Sequence, residues 1–353
     1  MGWKQLLKFE RKRKEMLGLD IGSSVVKLVQ MHKNSSGYIV TAAEIAEIDD
    51  EQVTDKDSRK MNIVRAIHTC LKTGKFQSKL AVCNVSGREV AVRPFNFPQI
   101  PPEEIEGAVF FEADQVCPFS INDSAVDYQL IANDDDSIKG VLVAATNKVL
   151  QNRKRIVESA SLDAVLMDVD GLALLNCFNE YEKEQKDSGV AAILNVGGNC
   201  STLAMMGDDG TPFVRDMNYA GNEIMKQLVD LTGAQWTEIG AALFDGKEAQ
   251  DMCPDFRQRL QEASGELIVD VNETLRYYTA QKKSSVVEKI YVCGGFALAK
   301  GFVELLDKQL TTSAVLWNPF ERFSLEASPS CEEVLQNRGP ALALAAGLAM
   351  RSV

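Results

Sequence analysis

Two short stretches of this chain are built alike. Leu19-Asp20-Ile21-Gly22-Ser23-Ser24 and Leu194-Asn195-Val196-Gly197-Gly198-Asn199 align, and Asn195 follows Asp20 by 175 positions. The same offset matches Leu28 with Leu203 and Met31 with Met206. In each stretch an apolar run breaks at glycine and resumes, the pattern of a strand, a tight turn and a second strand. One such hairpin is common. Two at matched positions predict a duplicated α/β domain, because a repeat this long is far beyond the period of a solenoid.

A length of 353 residues suits two domains. Hydrophobic residues at 45% and charged ones at 25% argue against wholesale disorder. No stretch approaches the roughly 18 apolar residues of a membrane span. A net charge of −12 is a poor balance for a protein that wraps nucleic acid, so no nucleic-acid partner is expected. The charge is uneven: residues 1–14 carry Lys4, Lys8, Arg11, Lys12, Arg13 and Lys14 against Glu10 alone. None of the 8 cysteines forms a CxxC pair and no secretory segment opens the chain. Buried free thiols in a reducing cytoplasm are the expected state. His32 and His68 are the only histidines, which leaves little for a histidine-based triad or a zinc site.

Short β-rich runs alternate with longer helical ones along the chain, as in an α/β protein. Residues 93–160 differ in texture. Pro94, Pro98, Pro101 and Pro102 punctuate their start, and strands at 125–132 and 140–145 with flanking helices predict a small α+β insert. The acidic Asn133-Asp-Asp-Asp-Ser stretch reads as a solvated hairpin tip rather than a metal site. The second half repeats the strand–turn–strand opening, then carries one helix over 256–282 and a final helix from Pro340.

The residue types at the two turns suit phosphate. Gly22 and Gly197 admit a ligand close to backbone, and successive turn amides form an anion-binding concavity. Ser23, Ser24, Ser201 and Thr202 add hydroxyl donors, and Lys27 supplies a point charge. Asp20 ends its strand where a carboxylate can hold Mg²⁺ through water. A third piece, Tyr291-Val-Cys-Gly294-Gly295-Phe296, is a buried strand breaking at two glycines, with room for an adenosine to lie against backbone. Neither a G-x-x-x-x-G-K-[ST] loop nor a kinase catalytic loop occurs.

In this order and spacing the three pieces resemble the superfamily of actin, the heat-shock chaperone ATPases and the sugar kinases. Its two interdomain helices have counterparts near Asp168-Val-Asp170-Gly and at Gly339-Pro-Ala-Leu-Ala-Leu-Ala-Ala-Gly347. Within it, Lys14–Val29 and the run Phe110-Phe-Glu-Ala-Asp-Gln-Val-Cys-Pro-Phe-Ser-Ile121 leading to Val126-Asp-Tyr-Gln-Leu130 are similar to the PilM family of type IV pilus assembly. That family shares its inserted subdomain with the division protein FtsA.

The resemblance implies an α/β, actin-like ATPase fold of duplicated RNase H-like domains with an inserted small α+β subdomain. Its expected divisions are a basic segment 1–15, a first domain 16–92 and 161–184, the insert 93–160, a second domain 185–338 and a returning helix 339–353. It gives Mg²⁺ to Asp20 and Asn195. ATP phosphates fall to Gly22, Ser23, Ser24 and Lys27 and to Gly197, Gly198, Asn199 and Ser201. The adenosine falls to Gly294, Gly295 and Phe296. Asp170, then Asp168, would position the attacking water, with a helix cap as the plainer alternative for either.

Two departures bear on catalysis. The family's second hairpin begins with aspartate where this chain has Asn195, and Ala241 stands where relatives place a lysine near the nucleoside. Both lower the expectation of hydrolysis more than of binding, so slow or absent turnover is expected.

For partners, the resemblance implies the cytoplasmic N-terminal tail of a PilN-like inner-membrane protein, and through the platform a PilO-like protein and the pilus motor ATPases. Phe95, Phe97, Phe110 and Phe111 are candidates to line the tail's groove or to form the insert's core. Trp3, Leu6, Leu7 and Phe9 among the basic residues of the head suit peripheral contact with an anionic membrane, or a self-docked terminus. An FtsA-like membrane tether and a sugar-kinase-type phosphotransferase are the rival functions.

Overall fold

The computed structural model describes residues 15–35, 37–49, 55–133, 137–182, 189–245, 255–281 and 286–351. The basic head, the tip of the acidic hairpin and the charged linker after residue 182 lie outside these. The first sheet opens with β1 (Met16–Ile21), β2 (Val25–Asn34) and β3 (Gly37–Glu47), an antiparallel meander. Every β1 residue is buried, as an apolar strand covered on both faces must be. Helix α1 (Lys56–Gly74) follows, capped by Asp55, whose carboxylate accepts from the amides of Asp57 and Ser58 at 2.8 Å each. β4 (Leu80–Val85) then runs parallel to β1.

The chain leaves this sheet to build a separate small one. β5 (Val90–Pro98), α2 (Pro102–Val116), β6 (Ser124–Asn133), β7 (Ser137–Thr146) and α3 (Asn147–Ser159) form a three-stranded antiparallel sheet in the order β5-β7-β6 with its helices. The strand at β5 is hidden in the sequence by Pro94. It lies at the sheet edge, where a missing N–H on the outer side removes no ladder bond. β8 (Asp163–Val169) rejoins the first sheet parallel to β4, and α4 (Asp170–Glu182) leads away from it.

The second half starts with the antiparallel strands β9 (Val190–Val196), β10 (Ser201–Met206) and β11 (Pro212–Met217). Helices α5 (Gly221–Thr232), α6 (Trp236–Phe244), α7 (Phe256–Ala263) and α8 (Gly265–Gln281) come next. The single helix predicted over 256–282 is therefore two, parted at the buried Ser264. β12 (Val287–Cys293), α9 (Phe302–Gln309) and β13 (Ser313–Leu316) complete the sheet. Its order, β11-β10-β9-β12-β13, repeats β3-β2-β1-β4-β8 strand for strand and in relative direction. The duplication read from two turns thus extends to both sheets. β14 (Ser324–Leu325) pairs with β3, and α10 (Pro329–Ala349) ends the fold.

The last helix begins at Pro329, not at the predicted Pro340, which lies inside it. Proline lacks an N–H to give, and its carbonyl accepts the Gly294 amide at 2.9 Å instead of serving the helix alone. The small residues of α10 have a packing reason. A Cβ on Gly347 would collide with the Ala173 carbonyl of α4, and one on Gly18 with the Ala345 carbonyl of α10. The helix therefore lies backbone to backbone on both. Around it one apolar cluster joins the halves: Leu174 and Phe178 from α4, Ile193 and Tyr291 from the second sheet, and Trp317. The two halves are tied at their base, and the two glycine turns meet above it.

Candidate functional site

The register of the two hairpins is the same. β1–β2 sets Asp20 opposite Lys27, and β9–β10 sets Asn195 opposite Thr202. The turns match too. Gly22 N–H donates to Val25 O at 3.0 Å, and Gly197 N–H donates to Cys200 O at 3.0 Å. Closing the turn this way leaves the amides of Ser23, Ser24, Gly198 and Asn199 with no protein acceptor among the described residues. The tips also face each other, for a Cβ on Gly198 would overlap Ser23 Oγ. Four open amides from two facing turns make a concavity for an anion.

Each tip is braced from behind. At the first, Arg59 Nη2 donates to Ser23 O at 2.6 Å, Arg153 Nη1 to Ile21 O at 3.2 Å, and Ile21 N–H to Asn84 Oδ1 at 3.0 Å. At the second, the first amides of α5 hold the turn: Gly221 N–H donates to Gly197 O at 3.0 Å and Asn222 N–H to Gly198 O at 2.8 Å. Asn222 Nδ2 also donates to Asn199 Oδ1 at 2.6 Å.

Three carboxylates gather here. Asp20 is 3% exposed and pairs with Lys27, Nζ to Oδ2 2.7 Å. The lysine predicted for phosphate thus rests on the aspartate predicted for magnesium. Asp216 on β11 accepts from Thr202 Oγ1 at 2.7 Å and from Gly87 N–H at 2.8 Å, bridging the second hairpin to the loop after β4. Asp170 opens α4 and is buried, with Asn84 Nδ2 donating to its Oδ1 at 3.2 Å. Burial first, then the charges of Asp20 and Asp216, push its pKa up to about 8. At neutral pH Asp170 largely keeps its proton.

Other candidate residues are placed differently. Asp168 is clasped by Arg351, at 2.5 Å from Nε and 2.8 Å from Nη2, a two-pronged pair that fastens the end of α10 to β8. Ser201 is fully buried and gives its hydroxyl to Tyr219 O at 2.9 Å. Phe296 is buried between Phe244 and Phe302, with ring centroids at 6.0 and 4.9 Å, so it serves the core of the second half. Gly294 has φ +96°, and a Cβ there would strike the Val196 carbonyl and Asn195 Oδ1. Asn195, Gly294 and the second hairpin are therefore brought together. Of the insert phenylalanines, Phe95 is core and stacks on Phe97 at 4.7 Å, whereas Phe110 and Phe111 on α2 are 46% and 68% exposed. Cys70, Cys83, Cys117, Cys177, Cys200, Cys293 and Cys331 are free.

Sequence reasoning missed Arg59, Arg153, Asn84 and Asp216. Asn84 carried a signal, a polar residue inside the apolar run of β4, where only a hydrogen-bonding role is tolerable. The arginines carried none, since each sits among charged residues of a helix.

The residues present suit a magnesium nucleotide. The open amides and Lys27 match phosphate oxygens, and the Asp20 carboxylate offers oxygens to a hydrated cation. Gly295, where an added Cβ would meet nothing within 4 Å, has open space beside its backbone.

The family model for type IV pilus assembly protein PilM matches residues 18–353. Among solved structures, the chain is similar to one in the PilM–PilN type IV pilus biogenesis complex, with TM-score 0.79 and 23% identity over 96% of this chain and 98% of that one. It is also similar to the ethanolamine utilization protein EutJ of Carboxydothermus hydrogenoformans, with TM-score 0.54 and 12% identity over 95% and 89% of the two chains. A diol dehydratase-reactivating factor in nucleotide-free form gives TM-score 0.55 and 9% identity over 95% and 99%. The fold is the actin-like ATPase fold. Among the described residues no helix is long and apolar enough to cross a membrane.

Proposed function

The chain belongs to the family of type IV pilus assembly protein PilM, and from that premise we propose that it binds ATP with Mg²⁺ between its two hairpins and receives the cytoplasmic N-terminal tail of a PilN-like inner-membrane protein. The observation that carries the nucleotide half is the pair of facing turns with the same Gly N–H bond and four open amides. Ser23, Ser24, Gly198 and Asn199 take the phosphates through backbone, Lys27 adds charge, and Asp20 and Asn195 face the cation. Bound magnesium neutralises phosphate charge. Gly294 and Gly295 take the adenosine, while Phe296 supports that turn from the core.

Turnover is proposed to be slow. In this reading Asp170 is the side chain that would orient a water, and in its protonated state it offers a poorer acceptor. Asn195 withholds a further negative charge. This combination suits a nucleotide-gated scaffold rather than a fast enzyme.

The partner half draws on family membership and on the similarity to a chain solved with PilN. Tethering through such a tail would hold the chain at the cytoplasmic face of the inner membrane. Titrating a peptide of the PilN-like tail into the full chain, with and without saturating Mg-ATP, tests this. Saturable one-to-one binding is expected. A chain that binds Mg-ATP but ignores the tail in both states would refute the partner.

A further inference from the structure

The cleft has a second, half-buried cation, and it comes from a part of the chain that neither hairpin belongs to. Arg153 lies on α3, which follows the small sheet directly and packs on β7, β8 and α1. Its Nη1 donates to Ile21 O, the carbonyl at the base of the first hairpin, at 3.2 Å. Burial lowers its pKa, and the charges of Asp170 and Asp20 oppose that shift. Lys27 meets the same Asp20 from β2. Lys27 is thus bonded to Asp20, whereas Arg153 acts on that carboxylate through its charge from the Ile21 carbonyl, and the two cations differ in freedom. Arginine is a planar, permanently charged fork held at the hairpin base, whereas lysine is a point charge on a flexible stem.

That difference matters when phosphate arrives. If Lys27 were the sole counter-charge of Asp20, turning it toward a phosphate would strand a buried carboxylate, a strongly unfavourable step. With Arg153 held on the Ile21 carbonyl and its charge acting on Asp20 and Asp170, Lys27 can move. We propose that Arg153 is a positioning residue for nucleotide. It holds the first hairpin in its phosphate-accepting shape and supplies the standing positive charge that releases Lys27 to the incoming phosphate. The inference rests on the nucleotide reading above. It also makes the phosphate site conditional on α3 being seated, so nucleotide and α3 must stabilise each other by linkage.

The test compares variants of similar bulk. Arg153→Met and Arg153→Gln remove the charge, and Arg153→Lys keeps it. Mg-ATP binding by calorimetry should weaken about 10- to 100-fold in the two uncharged variants and stay within about fivefold in the lysine variant, the difference expected of a charge-assisted contact. Lys27→Met should weaken binding about tenfold in the wild-type chain but less than about twofold in the Arg153→Met background, because there Lys27 is not released. Equal weakening in all three Arg153 variants, full additivity with Lys27→Met, or unchanged affinity would overturn the proposal. If the Met variant does not fold, the Gln variant carries the comparison. Failure of the wild-type chain to bind Mg-ATP would instead refute the nucleotide reading itself, and this inference with it.

Discussion

Asp20 and Lys27 face each other across the first hairpin, Oδ2 to Nζ 2.7 Å, with side-chain exposures of 4% and 10%. Their counterparts in the second hairpin, Asn195 and Thr202, carry no charge. The two halves share a backbone and divide the work: one holds an ion pair ready for exchange, the other offers mainly amides.

Breaking that pair is expected to be costly. Asp20→Ala leaves a buried ammonium, and Lys27→Met leaves a buried carboxylate with only the charge of Arg153 acting on it. Asp20→Ala should destabilise the chain by about 3 kcal/mol or more, Lys27→Met by less because the charge of Arg153 remains, and the double variant by clearly less than the sum. Denaturant titration of the four proteins measures the coupling; strict additivity would contradict it.

The protonation of Asp170 predicts a pH effect of definite sign. The folded carboxyl keeps its proton up to about pH 8, while its ordinary value is 3.8. The native state therefore binds more protons between these limits, so the stability this group contributes at low pH is lost as pH rises through that window. Asp170→Asn should flatten the profile and be the more stable protein above pH 8. Any phosphate release by the wild-type chain should increase toward pH 8, as Asp170 ionises, and vanish in Asp170→Asn.

A Cβ on Gly198 would displace Ser23 Oγ, while the next neighbouring atoms lie at 3.4 Å or beyond. Gly198→Ala should push the hairpins apart and weaken ATP binding about tenfold, the loss of well-placed phosphate contacts. Adding Ser23→Ala should restore most of that affinity. A double variant as weak as the single would show that the tips do not set the clamp.

Asp216 joins Thr202 to Gly87 across the cleft. Asp216→Ala should cost about 1–3 kcal/mol, as expected when a charged acceptor is removed from the buried Thr202 hydroxyl and the half-buried Gly87 amide. Amide hydrogen exchange at Gly87 should quicken while amides within β1 stay protected. Unchanged exchange at Gly87 would remove Asp216 as the link.

Much of this fold was legible because its signals are local. A glycine turn between apolar runs states its own conformation, and its recurrence at Gly197 declared the second half. β5 was not, because Pro94 reads as a strand breaker unless one knows that the strand lies at an edge. The break at Ser264 was equally silent, since the apolar periodicity of α7 runs on into α8.

In the site, the backbone parts were readable and the charge network was not. Arg59 and Arg153 reach the first hairpin from helices far along the chain, and nothing near them says which carbonyl they meet. Asp168 and Asp170 stood as alternatives in the sequence, only two positions apart. Arg351 separates them by taking Asp168, which leaves Asp170 with Asp20 and Asp216.

The central claim is that two facing hairpins form a magnesium-dependent nucleotide clamp. Calorimetric titration of ATP into the full chain, with magnesium and with EDTA, tests it most directly when paired with Asp20→Asn, which keeps an acceptor for Lys27. The account predicts saturable one-to-one binding that weakens at least about tenfold without magnesium and loses that magnesium dependence in Asp20→Asn, since the cation would be held through this carboxylate. Binding indifferent to both magnesium and Asp20, or no binding at all, would contradict it.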